Sequence, residues 1–336
     1  MKTIYCHLIV SVMLICTVCA RQVNAEGSPP LHPLKQNGKY GFIDNSGNMV
    51  IKPRFDEAAG FYEMFARVSV DGRWGYIDRT GKYIVKPQFD YVKDFSEGMA
   101  CVSVGRRPNL KYGFIDTSGK VVIPLKYNSA GSFSEGFARV WFDGKWGYID
   151  KTGKTIIEPR FELGRNFSEG LAAVKVDGRF GYIDRKGKVV IEPQFYNAES
   201  FSEGMAFIRE KSNSRHVYGY IDRTGKIVIE PQYKVAFYFK EGLAYVQIGD
   251  FTKGKYGFID KIGKVVIEPQ FDNALFFSEG LARVLVDGKY GYIDRTGTMI
   301  IEPQFEYAGS FRKGLAWIKS GNTRLYVNKA GIIIGK

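Results

Sequence analysis

Histidine and cysteine are scarce in this 336-residue chain, at three and four residues. His7, Cys6, Cys16 and Cys19 all fall within the first 20 positions, which leaves His32, His216 and Cys101 for everything downstream. One cysteine cannot form a disulfide framework, and two distant histidines with it supply neither a clustered metal site nor a Ser/His/Asp arrangement. No stretch sustains an apolar period of 3.6 residues, so helix content is expected near zero. The long apolar stretch Leu8–Ala20 has 13 residues, short of the roughly 20 that cross a bilayer. Charge of one sign is not gathered into runs either. The net +13 is spread over turns such as Asp78-Arg-Thr-Gly-Lys82, a dispersed field that favours anionic surfaces in general and points to no nucleic-acid partner.

That apolar stretch follows Lys2 and precedes Val23-Asn24-Ala25, small residues at cleavage spacing. Residues 1–25 read as a signal peptide and 26–37 as a linker, with a repeat domain over 38–336. The mature protein is therefore expected to be exported (periplasmic, cell-surface or secreted) and to have no membrane span. Cys16 follows Ile15 and Cys19 follows Val18, so neither has the small neighbour a lipid-modified cysteine needs. Loss of Lys2 and Arg21 lowers the charge from +13 to +11.

The rest of the chain repeats one pattern. An aromatic-Gly pair recurs with its glycine at 41, 75, 113, 147, 181, 219, 257 and 291, at spacings of 34 or 38 residues. A fixed period of this size marks stacked supersecondary units. Within one unit, Leu171–Val176 and Phe180–Asp184 flank Asp177-Gly178, a strong two-residue hairpin signal. Lys188–Ile191 is a third, β-branched strand, and Pro193, lacking an N–H, is expected to end it. Phe195–Phe201 suggests a weaker fourth strand. In Trp74-Gly-Tyr-Ile-Asp78 the two rings share one face and Ile77 takes the other, so each sheet needs cover on both sides from its neighbours. The fold expected is all-β: about eight short antiparallel meanders, with a β-propeller-like toroid favoured over an open β-solenoid. The extra hairpin Lys39–Ile51 is awkward for a closed ring, and the last unit, with Arg324 at the aromatic position, reads as a degenerate cap.

Gly144-Lys-Trp-Gly-Tyr-Ile-Asp150, Thr152-Gly-Lys154, Ile267-Glu-Pro-Gln-Phe-Asp272 and Phe277-Ser-Glu-Gly-Leu-Ala282 resemble the WG (KWG) repeats of bacterial proteins, over roughly residues 38 to 334. Met64, the displaced Pro124 and the final unit depart from that pattern. The resemblance implies an all-β repeat module, often exported or surface-associated, and implies no reaction or ligand.

Residues that recur once per unit have structural explanations. The ladder Tyr40, Trp74, Tyr112, Trp146, Phe180, Tyr218, Tyr256 and Tyr290 exchanges Trp, Tyr and Phe freely, which fits packing between units better than stacking on a sugar. Aspartates such as Asp78 and Asp150 are expected to cap their turns; one carboxylate beside a Lys or Arg is a poor calcium cage. Glutamates of the Phe-x-Glu-Gly motif (Glu97, Glu135, Glu169, Glu203, Glu241, Glu279) are expected to serve their turns likewise. A carboxylate pair for glycoside hydrolysis should break the repeat, and these follow it. The expectation is a non-catalytic binding or scaffolding protein with no cofactor or metal, whose partner is a protein or cell-envelope polymer. A lectin-like glycan-binding module is the alternative, ahead of a glycoside hydrolase. Candidate contacts lie in three insertions of four residues between the main strands: Arg106, Arg107, Lys211, Arg215, His216, Phe251 and Lys253.

Overall fold

The computed structural model describes residues 29–106, 108–212, 215–249, 254–321 and 323–335; residues 1–25, read above as a signal peptide, lie outside them. These residues form nine antiparallel sheets, each a meander in chain order, and no helix. Blade 1 has three strands, His32–Gln36, Lys39–Ile43 and Met49–Phe55. Blade 2 has four, Glu57–Ala58, Ala66–Val70, Arg73–Ile77 and Tyr83–Phe89. Blades 3 to 8 repeat that plan, and blade 9 ends it with Tyr307–Ala308, Leu315–Ser320, Thr323–Asn328 and Ile333–Ile334. The extra hairpin is thus a blade in its own right, and the ring has nine units. Residues 32–36, read as the end of a linker, supply its first strand.

The sheets cover one another as the alternation requires. Trp74 and Tyr76 pack into a cluster with Val92, Phe95 and Ala100 of blade 3, while Ile77 packs backwards against Phe42 and Phe55 of blade 1. The second ring of each Trp/Tyr-Gly-Tyr/Phe pair is essentially inaccessible, as at Tyr148, Tyr182 and Tyr220.

Two turn types set the geometry. Asp71-Gly72 and Asp177-Gly178 both have positive φ at each residue, the two-residue turn that suits a twisted hairpin. Glu-Gly of the Phe-Ser-Glu-Gly motif does the same: Glu97 and Gly98 have φ of 54° and 77°, and Ser96 and Met99 exchange both backbone bonds. The fourth strand does not end at its proline. Val189–Phe195 runs through Pro193, and Phe195 pairs with Phe180 after two register shifts. Proline is tolerated because this segment leaves the ladder and folds over the strand glycine, here Gly181; at the matching place in blade 4 a Cβ on Gly147 would lie 2.6 Å from the Ile157 carbonyl.

Blades are also joined by a repeated hydrogen-bond set. The buried tyrosine of one blade donates to the carbonyl that follows the first strand of the next: Tyr76 to Lys93, Tyr148 to Arg165, Tyr182 to Glu199, all within 2.8 Å. Ser96 donates to Phe133 O and Ser134 to Phe167 O in the following blades. Tyr326 of blade 9 donates to Pro33 O of blade 1 at 2.7 Å, and Leu315 and Tyr326 share a core cluster with Leu34 and Ile43, so the ring is closed.

Candidate functional site

The recurring polar residues are consumed by structure. Asp78 accepts from the backbone N–H of Thr80 and Lys82 at 2.9 and 3.0 Å and from the Thr80 hydroxyl. At Asp150 and Asp222 the matching threonine hydroxyl, ahead of the backbone donors, holds the carboxyl below its ordinary range. The Phe-x-Glu-Gly glutamates do not serve their own turns. Positive φ aims each side chain away from its hairpin and into the next blade, where Glu97 accepts from Gly136 N and Glu135 from Gly170 N, both at 2.9 Å. Cations of that next blade complete the contact, Lys151 on Glu97 at 3.2 Å and Arg185 on Glu135 at 3.0 Å. Cys101 is buried, and burial pushes its thiol up to about 12, out of reach as a nucleophile at neutral pH. Among the described residues no group of three or more His, Cys, Asp or Glu is placed to hold a metal ion, and no helix is long and apolar enough to cross a membrane.

Of the aromatic ladder, Trp146 and Phe180 are buried and the other six are half-buried against the blade cores. The three insertions leave the ring on one side, among the hairpins that join second and third strands. That of blade 6 continues the ladder through Lys211↔His216 and Ser212↔Arg215. Arg106 is exposed; Arg107, Phe251 and Lys253 lie outside the described residues. Blade 3 is separated from blades 6 and 7 around the ring, so the insertions do not form one continuous patch.

One place does gather residues that break the repeat. Blade 1 lacks the short first strand that every other blade has. In its place lies a cavity of about 410 Å³, walled by blades 9, 1 and 2. His32 pairs with Ile43 at the position that Ala100 and Ala138 take opposite Ile115 and Ile149 in blades 3 and 4. The larger ring fills space left by the absent strand and packs 5.2 Å from the Tyr326 ring. Desolvation lowers the His32 pKa below its ordinary value of 6.5, opposed by its hydrogen bond to Asn45.

Arg312 stands where blades 3 to 6 have serine. Those serines donate to the carbonyl of the motif phenylalanine in the next blade, a segment that blade 1 lacks; the longer Arg312 spans the gap and donates to the corresponding carbonyl of blade 2, Phe61 O, at 3.2 Å. Its guanidinium lies 3.5 Å over the ring of Tyr62, itself at another serine position. Arg324 replaces the ladder aromatic and covers one face of Trp317 at 4.7 Å, whose other neighbour, Tyr307, is stacked at 4.8 Å. Lys313 replaces the motif glutamate, and Asn45, replacing the facing cation, donates to its carbonyl. Arg67 pairs with Asp94 at 2.9 Å on the far wall, where a second cavity of about 380 Å³ continues into blades 3 and 4.

Sequence reasoning placed His32 in a linker and read the last unit as a cap. The available signal was that Tyr62, Arg312, Lys313 and Arg324 depart from the repeat at both chain ends, which ring closure brings together.

The fold has a close counterpart among solved structures: a eukaryotic initiation factor aligns at a TM-score of 0.67 and 12% identity, over 91% of this chain and 95% of that one. An acylaminoacyl peptidase from Pyrococcus horikoshii aligns at 0.41 and 12% identity over 89% of this chain. The extracellular domain of a putative hybrid two-component system from B. thetaiotaomicron aligns at 0.33 and 9% over 91%. The chain spans 57% and 52% of the lengths of those last two. No curated protein matches it. The sequence itself matches the family described as WG containing repeat at residues 40–74, 74–106, 112–146, 146–180, 180–213, 218–250, 256–290 and 290–323. With eight matches running from the first blade to the last, this nine-bladed β-propeller belongs to the WG-containing-repeat family.

Proposed function

We propose that this protein is exported and acts as a non-catalytic binding module for a protein or cell-envelope component. The observation that carries the reading is the convergence of repeat-breaking side chains on one cavity. Packing dictates the residues that recur, so a cluster of exceptions at a concave site is where selection for something other than the fold would act. Export rests on the leader at Lys2 and Leu8–Ala20. The absence of catalysis rests on the engagement of the recurring carboxylates in turns and blade contacts and on the buried, high-pKa thiol of Cys101. The insertion residues Arg106, Arg107, Lys211, Arg215, His216, Phe251 and Lys253 are proposed as secondary contacts on one side of the ring.

A lectin-like function is the second reading. It is favoured by the exposed ring of Tyr62 at the cavity, which has the shape to stack on a pyranose. Affinity capture from envelope extract with the mature protein tests the primary reading. Recovery of a specific envelope component supports it; turnover of chromogenic glycosides by the purified protein would overturn it.

A further inference from the structure

We propose that the cavity left by the missing strand of blade 1 is a binding site for an acidic saccharide, with a sugar face against the exposed Tyr62 and the acidic group on Arg324 and Arg312. This rests on the binding-module reading and names its ligand class. Three arginines, Arg67, Arg312 and Arg324, line the cavity, and none of its lining residues is acidic. Arg67 is already paired with Asp94, and among the described residues no ion pair is formed by Arg312 or Arg324. The Arg324 Nε is buried with no hydrogen-bond partner, as are those of Arg139, Arg209 and Arg283, so it is the place of this guanidinium on the cavity wall that sets it apart. A volume of about 410 Å³ suits one or two sugar rings.

The seam is poorly suited to the obvious competitor, a peptide added as a strand to the open edge of blade 1. Pro33 sits on that edge and has no N–H to offer, and its carbonyl is taken by the Tyr326 hydroxyl. Lys313 adds further positive charge beside the site: Arg312 and Arg79 crowd it, and its replacement of the repeat's glutamate removes the one carboxylate that a regular unit would place there. The cations therefore accumulate where the pattern would have neutralised them.

The test is titration calorimetry of the mature protein with oligogalacturonate, with the neutral oligogalactose as comparison and a polyglutamate peptide as the rival anion. Binding to the acidic sugar at least tenfold tighter than to either comparison, and weaker in high salt, is the expected result. Arg324→Tyr restores the residue type that the repeat carries at this position, so it should fold normally and lose at least tenfold in affinity. Arg312→Gln, judged against its own melting temperature, should show the same loss. Equal affinity for the neutral sugar, preference for the peptide, or undiminished binding by Arg324→Tyr would overturn the assignment. An envelope partner captured equally well by wild type and Arg324→Tyr would sink this site while leaving the binding-module reading intact.

Discussion

The hydroxyl of Tyr326 donates to the carbonyl of Pro33 at 2.7 Å across 293 residues of chain, and this bond does for the closing blade pair what Tyr76, Tyr148 and Tyr182 do elsewhere. The acceptor differs. In a complete blade it is the carbonyl that follows the short first strand; in blade 1, which has no such short strand, it belongs to the strand 32–36, whose outer edge is otherwise open. Tyr326→Phe should cost about 1–2 kcal/mol by leaving that buried carbonyl unpaired. Hydrogen exchange should quicken at residues 32–36 in that variant and stay unchanged there in Tyr148→Phe, which loses the same bond within the ring.

Lys313 should be a site where stability can be gained. Desolvation lowers its pKa, and the like charges of Arg312 and Arg79 lower it further. Lys313→Glu restores the repeat residue and turns two repulsions into attractions. A gain of up to about 1 kcal/mol is expected by chemical denaturation, shrinking as salt is added because the group is largely exposed. An unchanged or lowered midpoint at low salt would show that the crowding has no energetic consequence.

His32 gives the seam a pH dependence. Its folded pKa lies below 6.5, chiefly through desolvation, with Lys313 and Arg312 adding to the effect and Asn45 and Glu279 opposing it. The unfolded chain therefore binds the extra proton first as pH falls. The His32 contribution is complete above 6.5 and declines as pH drops from there towards the folded value. His32→Ala, the residue of the other blades, should flatten the melting curve between neutral pH and the range below 3.8 where the turn aspartates titrate. The comparison is thermal unfolding of both proteins across that window.

The strand glycines should tolerate nothing larger. A Cβ at Gly147 would lie 2.6 Å from Ile157 O and 2.7 Å from Pro159 N, backbone atoms that cannot swing aside. Gly147→Ala should cost about 3 kcal/mol or more. Gly60→Ala, with nothing within 4 Å of its added carbon, should leave denaturant midpoints unchanged.

Most of the ring could be read from the repeat, because every recurring residue answers a local demand. Asp177-Gly178 announces its turn, and Trp74-Gly-Tyr-Ile announces which ring and which aliphatic group face which neighbour. What the sequence hid depends on proximity between distant units. The Glu97 carboxylate looked like a turn residue because its acceptor role lies in the next blade, at Gly136 N. Pro193 looked like a strand terminator because the bulge that carries it forms only over Gly181. The seam was least legible: Tyr62 and Arg312 stand 250 positions apart, and each alone resembles drift in a repeat. Only closure of the ring makes them a pair.

Hydrogen exchange read by mass spectrometry, with and without oligogalacturonate, tests most directly whether the seam is where this propeller binds. Protection confined to residues 29–36, 58–67 and 310–326 is the predicted result. Protection at the insertions 105–110, 211–216 and 249–254 in its place, or none around the seam under saturating ligand, would contradict it.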